Sequence, residues 1–389
     1  MKYCVDLKKG LKNGKEIIMY IKKLKLINFR NYNKVNITFT KGINIIYGKN
    51  AQGKTNLLES IYVLGLTKSH RNNIDNSLIK SDAEYLFIEG TIKDELSENK
   101  YNIYIDKNTK KIKYNSDSIK KISDYISLIN IIIFYPDDLD LIKGSPKIRR
   151  KFLNMEISQL YSNYYVLINE YDKLLKIRNE YLKKGKIDLN YLEILTNYLI
   201  DKSINIYKLR YKYIKKINEY SNEIFKNIMG LDNFFIKYNP NIDIDINSPN
   251  IKDQLKEEYK KKLDYDIKTM QTNIGPHKDD FSFMLNGNDL KYYGSQGQQK
   301  IAVLSFKLSE IELFKKFKNT TPILLLDDIF SELDDNKKNN LLKYINKKTQ
   351  TIITTTELNN IDKNLIKISK LFNIDKGKIK KIREVDIYE

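Results

Sequence analysis

The segment Gly48–Thr55 restricts the fold of this chain more than any other, and it reads Gly-Lys-Asn-Ala-Gln-Gly-Lys-Thr. It matches the pattern G-x-x-x-x-G-K-[ST], in which backbone N–H groups, a lysine and a hydroxyl surround a polyphosphate. A short β-branched run, 42–47, precedes the segment, and an apolar stretch with helical spacing, 56–64, follows it. A strand, a glycine loop and a helix in this order are the context that such a loop requires. The sequence therefore predicts an α/β P-loop fold.

This phosphate loop predicts a nucleotide site in which each residue type has a chemical task. The candidate nucleotide-binding residues are Gly48, Lys49, Asn50, Ala51, Gln52, Gly53, Lys54, Thr55 and Asn56. Lys54 supplies a charge for the β- and γ-phosphates of ATP, and the Thr55 hydroxyl is a candidate ligand for Mg²⁺. The alternative is a glycine turn before an ordinary helix, with Lys54 in solvent. The flanking strand and helix favour the nucleotide site.

An acidic strand end far downstream is the expected partner of the loop. The apolar run 322–326 ends in Asp327 and Asp328. In P-loop proteins a carboxylate at the end of a neighbouring parallel strand holds the metal. We assign Asp327 to Mg²⁺ and Asp328, together with Lys54, to catalysis, with Asp328 orienting the attacking water. The alternative is an acidic strand end that faces solvent.

A second candidate anion site opens a predicted helix further along the chain. Its residues are Ser295, Gln296, Gly297, Gln298 and Gln299. Helix N-termini attract anions, and a Ser hydroxyl with a Gly amide can contact a γ-phosphate. The same spacing also fits a capping box, in which Ser295 is the N-cap and Gln298 stands three residues later. Spacing alone leaves both interpretations open.

Composition restricts the partners of the chain. The 389 residues include 69 Lys and Arg against 49 Asp and Glu, a net charge of +20. Such a charge favours an anionic partner, with nucleic acid before a membrane surface. No apolar run approaches the roughly 20 residues that span a bilayer, so we expect neither a membrane partner nor a transporter. We also expect no signal peptide. The single cysteine, Cys4, excludes an internal disulfide and fits a reducing cytoplasm.

Changes in sequence character divide the chain into three parts. Residues 1–18 are polar, lysine-rich and aperiodic, and we interpret them as a start-site extension or a disordered arm that contacts DNA. Residues 19–140 and 273–389 alternate strand and helix patterns and predict a nucleotide-binding lobe, with an antiparallel meander over 85–115. Residues 141–272 carry apolar stripes at helical spacing and predict a helical second lobe.

Together these motifs identify a family. The segments are Asn28–Tyr32, Gly48–Asn56, Ser69–Arg71, Pro136–Leu139, Gly144–Pro146, Arg149–Arg150, Gly275–Asp280, Ser295–Gln299, Asp327–Asp328 and Thr354–Thr356. Their order resembles that of ATP-binding-cassette (ABC) heads, and the fuller set resembles the RecF family of bacterial recombination proteins. The resemblance extends from Met19 to near the C-terminus.

The resemblance implies an ABC-type ATPase head, related to SMC proteins, with a mixed sheet lobe and a helical second lobe. Two heads would enclose two ATP molecules, with each signature segment, Ser295–Gln299, reaching the nucleotide of the partner. It also implies weak, DNA-stimulated ATP hydrolysis and binding of single-stranded, double-stranded and gapped DNA. Cooperation with RecO and RecR, and through them RecA loading in repair, replication and the SOS response, is implied as well. Arg30 and Asn31 match a segment that approaches the nucleotide in related heads.

Several positions depart from the wider cassette pattern. Asp328 stands where a Glu is usual, and its side chain is one methylene shorter. Thr354–Thr356 stands where many cassettes place a His, and the stretch 134–139 has no Gln at the lid position. These three features resemble the RecF family, and with them we expect slow activation of water. Lys278 replaces the Arg that we expect in the Gly-Pro-His-x-Asp-Asp segment.

Other functions fit parts of the sequence. An SMC-like or DNA-end-tethering head needs helical arms of hundreds of residues, whereas the predicted insertion spans only 141–272. An ATPase-coupled nuclease needs a separate acidic or His-rich catalytic domain, and the residues outside the ATPase motifs suggest none. His70 and His277 lie far apart and predict no metal triad. For His70, a loop hydrogen bond and a contact with nucleotide or DNA both stay open.

Overall fold

The computed structural model describes residues 17–72, 74–345 and 349–383. Of the predicted N-terminal extension, residues 1–16 lie outside the described residues. The chain forms two compact units, Met1–Asp138 with Glu310–Glu389 and Leu139–Ser309. The sequence placed 273–309 with the nucleotide-binding lobe, whereas these residues group with the second unit, because a strand within them pairs with a strand before residue 240.

The first unit begins with strands and a single long helix. The elements are β1 (Ile17–Ile18), β2 (Tyr20–Phe29), β3 (Tyr32–Thr38), β4 (Ile43–Tyr47), α1 (Lys54–Leu66), β5 (Tyr85–Lys93), β6 (Glu98–Asp106), β7 (Lys110–Tyr114), β8 (Asp117–Ser118) and β9 (Ile131–Phe134). Short 3₁₀ turns join several of them.

The second unit is mainly helical. Its elements are α2 (Asp140–Lys143), α3 (Pro146–Leu160), α4 (Ser162–Leu182), α5 (Leu189–Met229), β10 (Phe234–Asn239), α6 (Ile251–Lys261), α7 (Leu263–Thr269), β11 (Asp280–Leu285), β12 (Asn288–Asp289) and α8 (Leu290–Tyr293). Helix α9 (Gln296–Lys318) leads back to the first unit, which ends with β13 (Thr320–Thr321), β14 (Ile323–Asp327), α10 (Asp335–Tyr344), β15 (Thr351–Thr355), α11 (Lys363–Lys367), β16 (Lys370–Asp375) and β17 (Lys378–Arg383).

The strand before the phosphate loop lies in a six-stranded sheet with the order β17-β16-β4-β15-β14-β9. All of these strands are parallel except β17. Strands β14 and β15 are buried along their whole length, as expected for a parallel sheet that is covered on both faces. Because parallel strands end at the same edge, the loop after β4 and the acidic end of β14 share that edge.

The predicted meander is a second six-stranded sheet, with the order β3-β2-β5-β6-β7-β8 and antiparallel pairing throughout. Helix α1 contacts strands of both sheets and buries nearly all of its side chains, as a helix that is apolar on every side does. A Cβ at Gly90 of β5 would lie 2.1 Å from Leu64 Cδ2 of α1. Glycine at this position therefore permits the close packing of the helix on the sheet.

The longest helix forms the core of the second unit. Helix α5 has 41 residues, which at 1.5 Å per residue gives a length of about 62 Å. Most of its apolar stripe is buried, including Leu192, Leu199 and Tyr207, whereas Tyr211 is 37% exposed. Gly185 lies between α4 and α5. No strand was predicted between 231 and 272, yet β10 pairs with β11 over its full length. Across the described residues, no helix is long and apolar enough to cross a bilayer.

Buried ion pairs attach the segment Gly275–Asp280 to the helices of the second unit. Arg210 Nη1 donates to Asp279 Oδ2 over 2.8 Å, and both side chains are 1% exposed. Arg149 Nη2 donates to Asp280 Oδ2 over 2.8 Å. Breaking such a pair on one side leaves an uncompensated charge in a medium of low polarity. The Gly-Pro-His-Lys-Asp-Asp segment therefore has a structural role in this fold.

His277 is held in its neutral form. Its Nε2 lies 2.9 Å from the Thr272 carbonyl oxygen and its Nδ1 lies 2.6 Å from the Tyr171 hydroxyl oxygen. Since a carbonyl oxygen only accepts, Nε2–H donates to Thr272 and the Tyr171 hydroxyl donates to Nδ1. Burial lowers the pKa of His277 to about 4, with Lys278, Arg150 and Arg210 adding like-charge repulsion.

This lowered pKa predicts a pH-dependent contribution to stability. In the unfolded chain His277 has a pKa of about 6.5, so the unfolded state takes up the proton first as the pH falls. The contribution is complete above pH ~6.5 and is lost between pH ~6.5 and ~4. We expect the difference in unfolding free energy between the wild type and His277→Gln to shrink by about 2 kcal/mol from pH 7 to pH 5 in urea titrations. A difference that stays constant with pH would contradict this account.

Candidate nucleotide-binding site

The phosphate loop is braced by side chains from the β2–β3 turn. Asn31 Nδ2 donates to the Gln52 carbonyl oxygen over 3.1 Å, and the Tyr32 hydroxyl donates to the Gly53 carbonyl oxygen over 2.9 Å. Asn56 Nδ2 in turn donates to Asn31 Oδ1 over 2.9 Å. Gly53 has a φ of 113°, and a Cβ there would lie 2.6 Å from Asn31 Nδ2. The loop is therefore held in shape by the protein itself.

Lys54 points back along the loop. Its Nζ donates to the Gly48 carbonyl oxygen over 2.7 Å and to that of Lys49 over 2.9 Å. Burial lowers the pKa of Lys54, and the charges of Asp328 and Asp327 oppose this effect. The ammonium group is thus held by carbonyl oxygens of the first part of the loop. Ala51, at the tip of the loop, adopts a left-handed conformation with φ 63°.

Thr55 and Asp327 meet at the shared edge of the parallel sheet. The Thr55 hydroxyl donates to Asp327 Oδ1 over 3.0 Å, and the Thr354 hydroxyl donates to the same oxygen over 2.6 Å. Burial raises the pKa of Asp327, and these two hydrogen bonds oppose the rise. A hydroxyl and a carboxylate at this separation are oxygen ligands of the type that Mg²⁺ takes from a protein. The residues therefore fit the ion.

Thr55 and Asp327 form a candidate site for Mg²⁺ from two oxygen-bearing side chains. Among the described residues, no group of three or more His, Cys, Asp or Glu is placed to hold a metal ion. Magnesium is usually bound by one or two protein groups, with substrate phosphates and water as its other ligands. Thr55 and Asp327 supply such a partial set.

Asp328 follows Asp327 in a left-handed conformation, with φ 51°. Its backbone N–H donates to the Thr354 hydroxyl oxygen over 3.0 Å. The Thr354 hydroxyl therefore connects the two acidic residues, because it accepts from Asp328 and donates to Asp327. The sequence marked Thr354 only as a departure at the usual position of a His, and the structure shows that it holds the Asp327 carboxylate and the Asp328 backbone.

A cavity of about 810 Å³ lies beside the loop. Its walls include the loop residues Lys49 and Asn50, Thr356 after β15, and Asp375 and Lys380 of the last hairpin. The volume lies within the range of about 300–1,000 Å³ that is typical of small-molecule sites. The cavity places space for a nucleotide next to the first half of the phosphate loop.

Arg30 braces α1. Its Nη2 and Nε donate to the two carboxylate oxygens of Glu59 over 2.8 and 3.0 Å, and its Nη1 donates to the Ser77 carbonyl oxygen over 2.7 Å. Glu59 is fully buried and also accepts from the Ser69 hydroxyl over 2.6 Å. Burial raises the pKa of Glu59, but the hydrogen bonds from Arg30 and Ser69 outweigh it and hold the pKa below its usual value. A direct contact of Arg30 with nucleotide stays a prediction.

Sequence reasoning missed Glu59. The signal was present, because Glu59 interrupts an otherwise apolar stretch of α1, and a charged residue in a buried helix requires a partner. The partners of Glu59 are Arg30 and Arg71, and Arg71 Nη1 lies 3.8 Å from Glu59 Oε2. The ion pair connects the β2–β3 turn to the middle of the helix that begins at the phosphate loop.

The signature segment belongs to the second unit and forms a capping box. Ser295 N–H donates to Gln298 Oε1 over 2.8 Å, and Gln298 N–H donates to Ser295 Oγ over 3.3 Å. Gln299 Nε2 donates to the Leu290 carbonyl oxygen over 2.7 Å. Ser295 and Gln296 are exposed and Gly297 is half-buried, so the tip of α9 is accessible to a partner. The capping role is thus present, and the anion-binding role stays a prediction.

The parallel sheet, the braced phosphate loop and the acidic end of β14 define an ABC-type ATPase head. Residues 20–380 match the model of the RecF/RecN/SMC N terminal domain. The chain is 38% identical over 369 residues to the DNA replication and repair protein RecF of Halalkalibacterium halodurans, with 93% of this chain and 100% of the relative covered. For RecF of Ligilactobacillus salivarius the identity is 40% over 378 residues, with 95% and 100% covered.

A solved structure of the recombination mediator protein RecF with ATP, in the RecFOR pathway, matches with a TM-score of 0.86 at 34% identity, covering 94% of this chain and 98% of that one. The chain belongs to the RecF family. The resemblance and the fold class predicted from the sequence are therefore confirmed.

The buried position of Glu59 predicts a large effect of its neutralisation. Glu59→Gln leaves the guanidinium of Arg30 opposite an amide, and we expect a loss of about 2–3 kcal/mol in unfolding free energy. Urea denaturation measures it. The matched control is Glu98→Gln, whose carboxylate pairs with Lys22 at the surface over 2.8 Å and should cause no measurable loss. Equal effects of the two variants would show that the buried pair does not stabilise the unit.

Proposed function

We propose that this chain is an ATP-dependent DNA-binding protein of recombinational repair and replication, which acts in the cytoplasm as an ATP-gated homodimer. The single observation that supports it most is the meeting of the Thr55 hydroxyl and the Asp327 carboxylate beside Lys54, in a chain of the RecF family. Relatives carry the name DNA replication and repair protein, and we extend that role to this chain.

The residues of the loop have separable tasks in this proposal. The backbone N–H groups of Gly48–Thr55 and the Lys54 ammonium bind the β- and γ-phosphates of ATP. Thr55 and Asp327 would hold Mg²⁺, which offsets the charge of the phosphates. Asp328 orients water at the γ-phosphate and accepts its proton. The Asp328 side chain is short, so we expect slow hydrolysis of ATP. We also expect DNA to stimulate hydrolysis, and hydrolysis sets the time at which the homodimer releases DNA.

In the proposed dimer, the signature segment Ser295–Gln299 of one subunit contacts the ATP that is bound by the other subunit. Ser295 and the N-terminus of α9 would contact the γ-phosphate on a partner subunit, because a helix N-terminus with free N–H groups stabilises an anion. Two copies of the chain would then close on two ATP molecules. Loss of the γ-phosphate removes the contact and opens the dimer.

The partners follow from charge and from the family. A net charge of +20 favours DNA, including single strands, duplexes and gaps, with binding that weakens as salt rises. A structural relative acts in the RecFOR pathway, and for this chain we propose cooperation with RecO and RecR in RecA loading.

Ser295→Arg tests the trans signature. The bulky cation blocks the tip of α9, so ATP-dependent dimerisation should be lost while each monomer still binds ATP. Light scattering with ATP, ADP and no nucleotide measures the first property, and a fluorescent ATP analogue measures the second. Asn205→Arg, which adds the same charge at an exposed position of α5, should dimerise normally. A Ser295→Arg protein that dimerises with ATP would refute the trans role.

Asp328→Asn tests the assigned catalytic role. An amide cannot accept the proton of water, so single-turnover phosphate release should slow by about 100-fold or more, within the range for general bases. Binding of ATP should stay within about threefold of the wild type, and Asp328→Glu should hydrolyse ATP at least as fast as the wild type. An unchanged rate in Asp328→Asn would assign the proton transfer to another group.

A further inference from the structure

The outer face of the antiparallel sheet carries a group of aromatic rings. Over 85–89 of β5 and 100–106 of β6, buried residues alternate with residues that are partly or fully exposed. Phe87 of β5 stands directly opposite Tyr104 of β6 in the register. Tyr85 stacks on Tyr104, with ring centroids 5.5 Å apart and an angle of 22°. Tyr85 is 39% exposed, and Phe87 and Tyr104 are partly exposed. These rings lie on the face opposite the buried side.

Lysines flank the aromatic group on both sides. Lys25 Nζ lies 5.8 Å from the centroid of the Phe87 ring, and Lys111 Nζ lies 5.8 Å from that of Tyr104. The two rings belong to a row of paired residues that crosses the sheet. The row begins at Lys34 on β3, passes through Ile27 on β2, Phe87 and Tyr104, and ends at Lys111 on β7. The Phe87 ring therefore carries one flexible ammonium group, and the Tyr104 ring carries another beside the stacked ring of Tyr85.

The whole face is basic. The lysines of the strands on this outer face are Lys23, Lys25, Lys34, Lys93, Lys100, Lys111 and Lys113. The acidic residues of the strands on the same face are Glu89, Glu98 and Asp106. Two of the acids are already engaged, because Glu98 pairs with Lys22 and Asp106 accepts from Asn108 and Thr109 at its own turn. The surface around the rings therefore complements a polyanion.

We propose that this face, defined by Phe87, Tyr104, Tyr85 and the surrounding lysines, binds single-stranded DNA. It rests on the proposed DNA-binding function and names the surface that performs it. Exposed rings on a sheet stack on unpaired bases, and a positive surround follows the phosphates. A base that stacks on Phe87 or Tyr104 displaces Lys25 or Lys111, whose ammonium groups then contact phosphate. A duplex hides its base faces and cannot use the rings.

The decisive variant is Phe87→Ile with Tyr104→Ile. Isoleucine keeps the preference for a strand but has no π face. Fluorescence anisotropy with a labelled oligo(dT) should show binding at least tenfold weaker than the wild type, while binding of a blunt duplex of equal charge should change less than threefold. Tyr104→Phe, which keeps the ring, should bind as the wild type does.

Tyr265→Ile is the matched control. Tyr265 is 54% exposed and Lys262 Nζ lies 6.0 Å from its ring centroid, but it belongs to the second unit. Its replacement should leave oligo(dT) binding unchanged. If the control weakens binding as much as the double isoleucine variant does, aromatic exposure in general is responsible and the sheet face is refuted.

A lysine variant tests the same face independently of the rings. Lys25→Gln with Lys111→Gln removes two charges, so the slope of log K against log salt for oligo(dT) should fall by about 1.4 in magnitude. Thermal unfolding and ATP binding equal to the wild type verify that each variant is folded. If the double isoleucine variant does not fold, the double glutamine variant decides the proposal. An unchanged slope of log K against log salt in the glutamine variant overturns the proposal.

The outcomes separate this inference from the proposed function. A wild type that binds neither oligo(dT) nor duplex refutes both. A wild type that binds DNA, with the isoleucine variant binding oligo(dT) equally well, refutes the sheet face and leaves the DNA-binding function intact. An equal loss for oligo(dT) and duplex also overturns the proposal, because it excludes base stacking as the cause.

Discussion

The hydrogen bond between the Thr55 hydroxyl and Asp327 depends on a constraint of the parallel sheet. Strands β4, β15 and β14 run in the same direction, so their carboxyl ends bring the phosphate loop, Thr354 and the acidic pair to one edge. The residues are far apart in the chain, since Thr55 and Asp327 are separated by 272 positions. The site therefore exists only when the sheet is fully assembled, and its chemistry is a property of the topology.

Each unit contains buried charges, and their partners come from distant segments of the chain. Glu59 in α1 is matched by Arg30, and Asp279 in the second unit is matched by Arg210. In both cases the arginine makes several hydrogen bonds, which offsets the cost of removing the charges from water. Such pairs also fix the orientation of the segment that carries the arginine. In the first unit they fix the turn that carries Asn31, and through it the phosphate loop.

The features that the sequence predicted correctly depend on residues that are close together in the chain. The loop between β4 and α1, the acidic end of β14 and the stripe of α5 are all visible as spacing within a few residues. Strand β10 was not predicted, because its partner β11 lies beyond two helices in sequence. The pairing of Arg30 with Glu59 was not predicted, because each signal is a single charged residue 29 positions from the other. The role of Thr354 was visible only from the sheet order, which brings its hydroxyl to the Asp327 carboxylate and the Asp328 backbone N–H.

Helix α1 physically connects the two faces at which this protein is proposed to act. Its first residue, Lys54, belongs to the phosphate loop, and Leu64 in its last turn packs against Gly90 in the middle of β5. On that same strand, Phe87 points to the opposite, solvent-exposed side. Close-packed protein interiors transmit strain because they contain few voids. A buried helix with one end at the phosphate loop and its body on the sheet therefore connects the proposed nucleotide site with the proposed DNA surface within this unit.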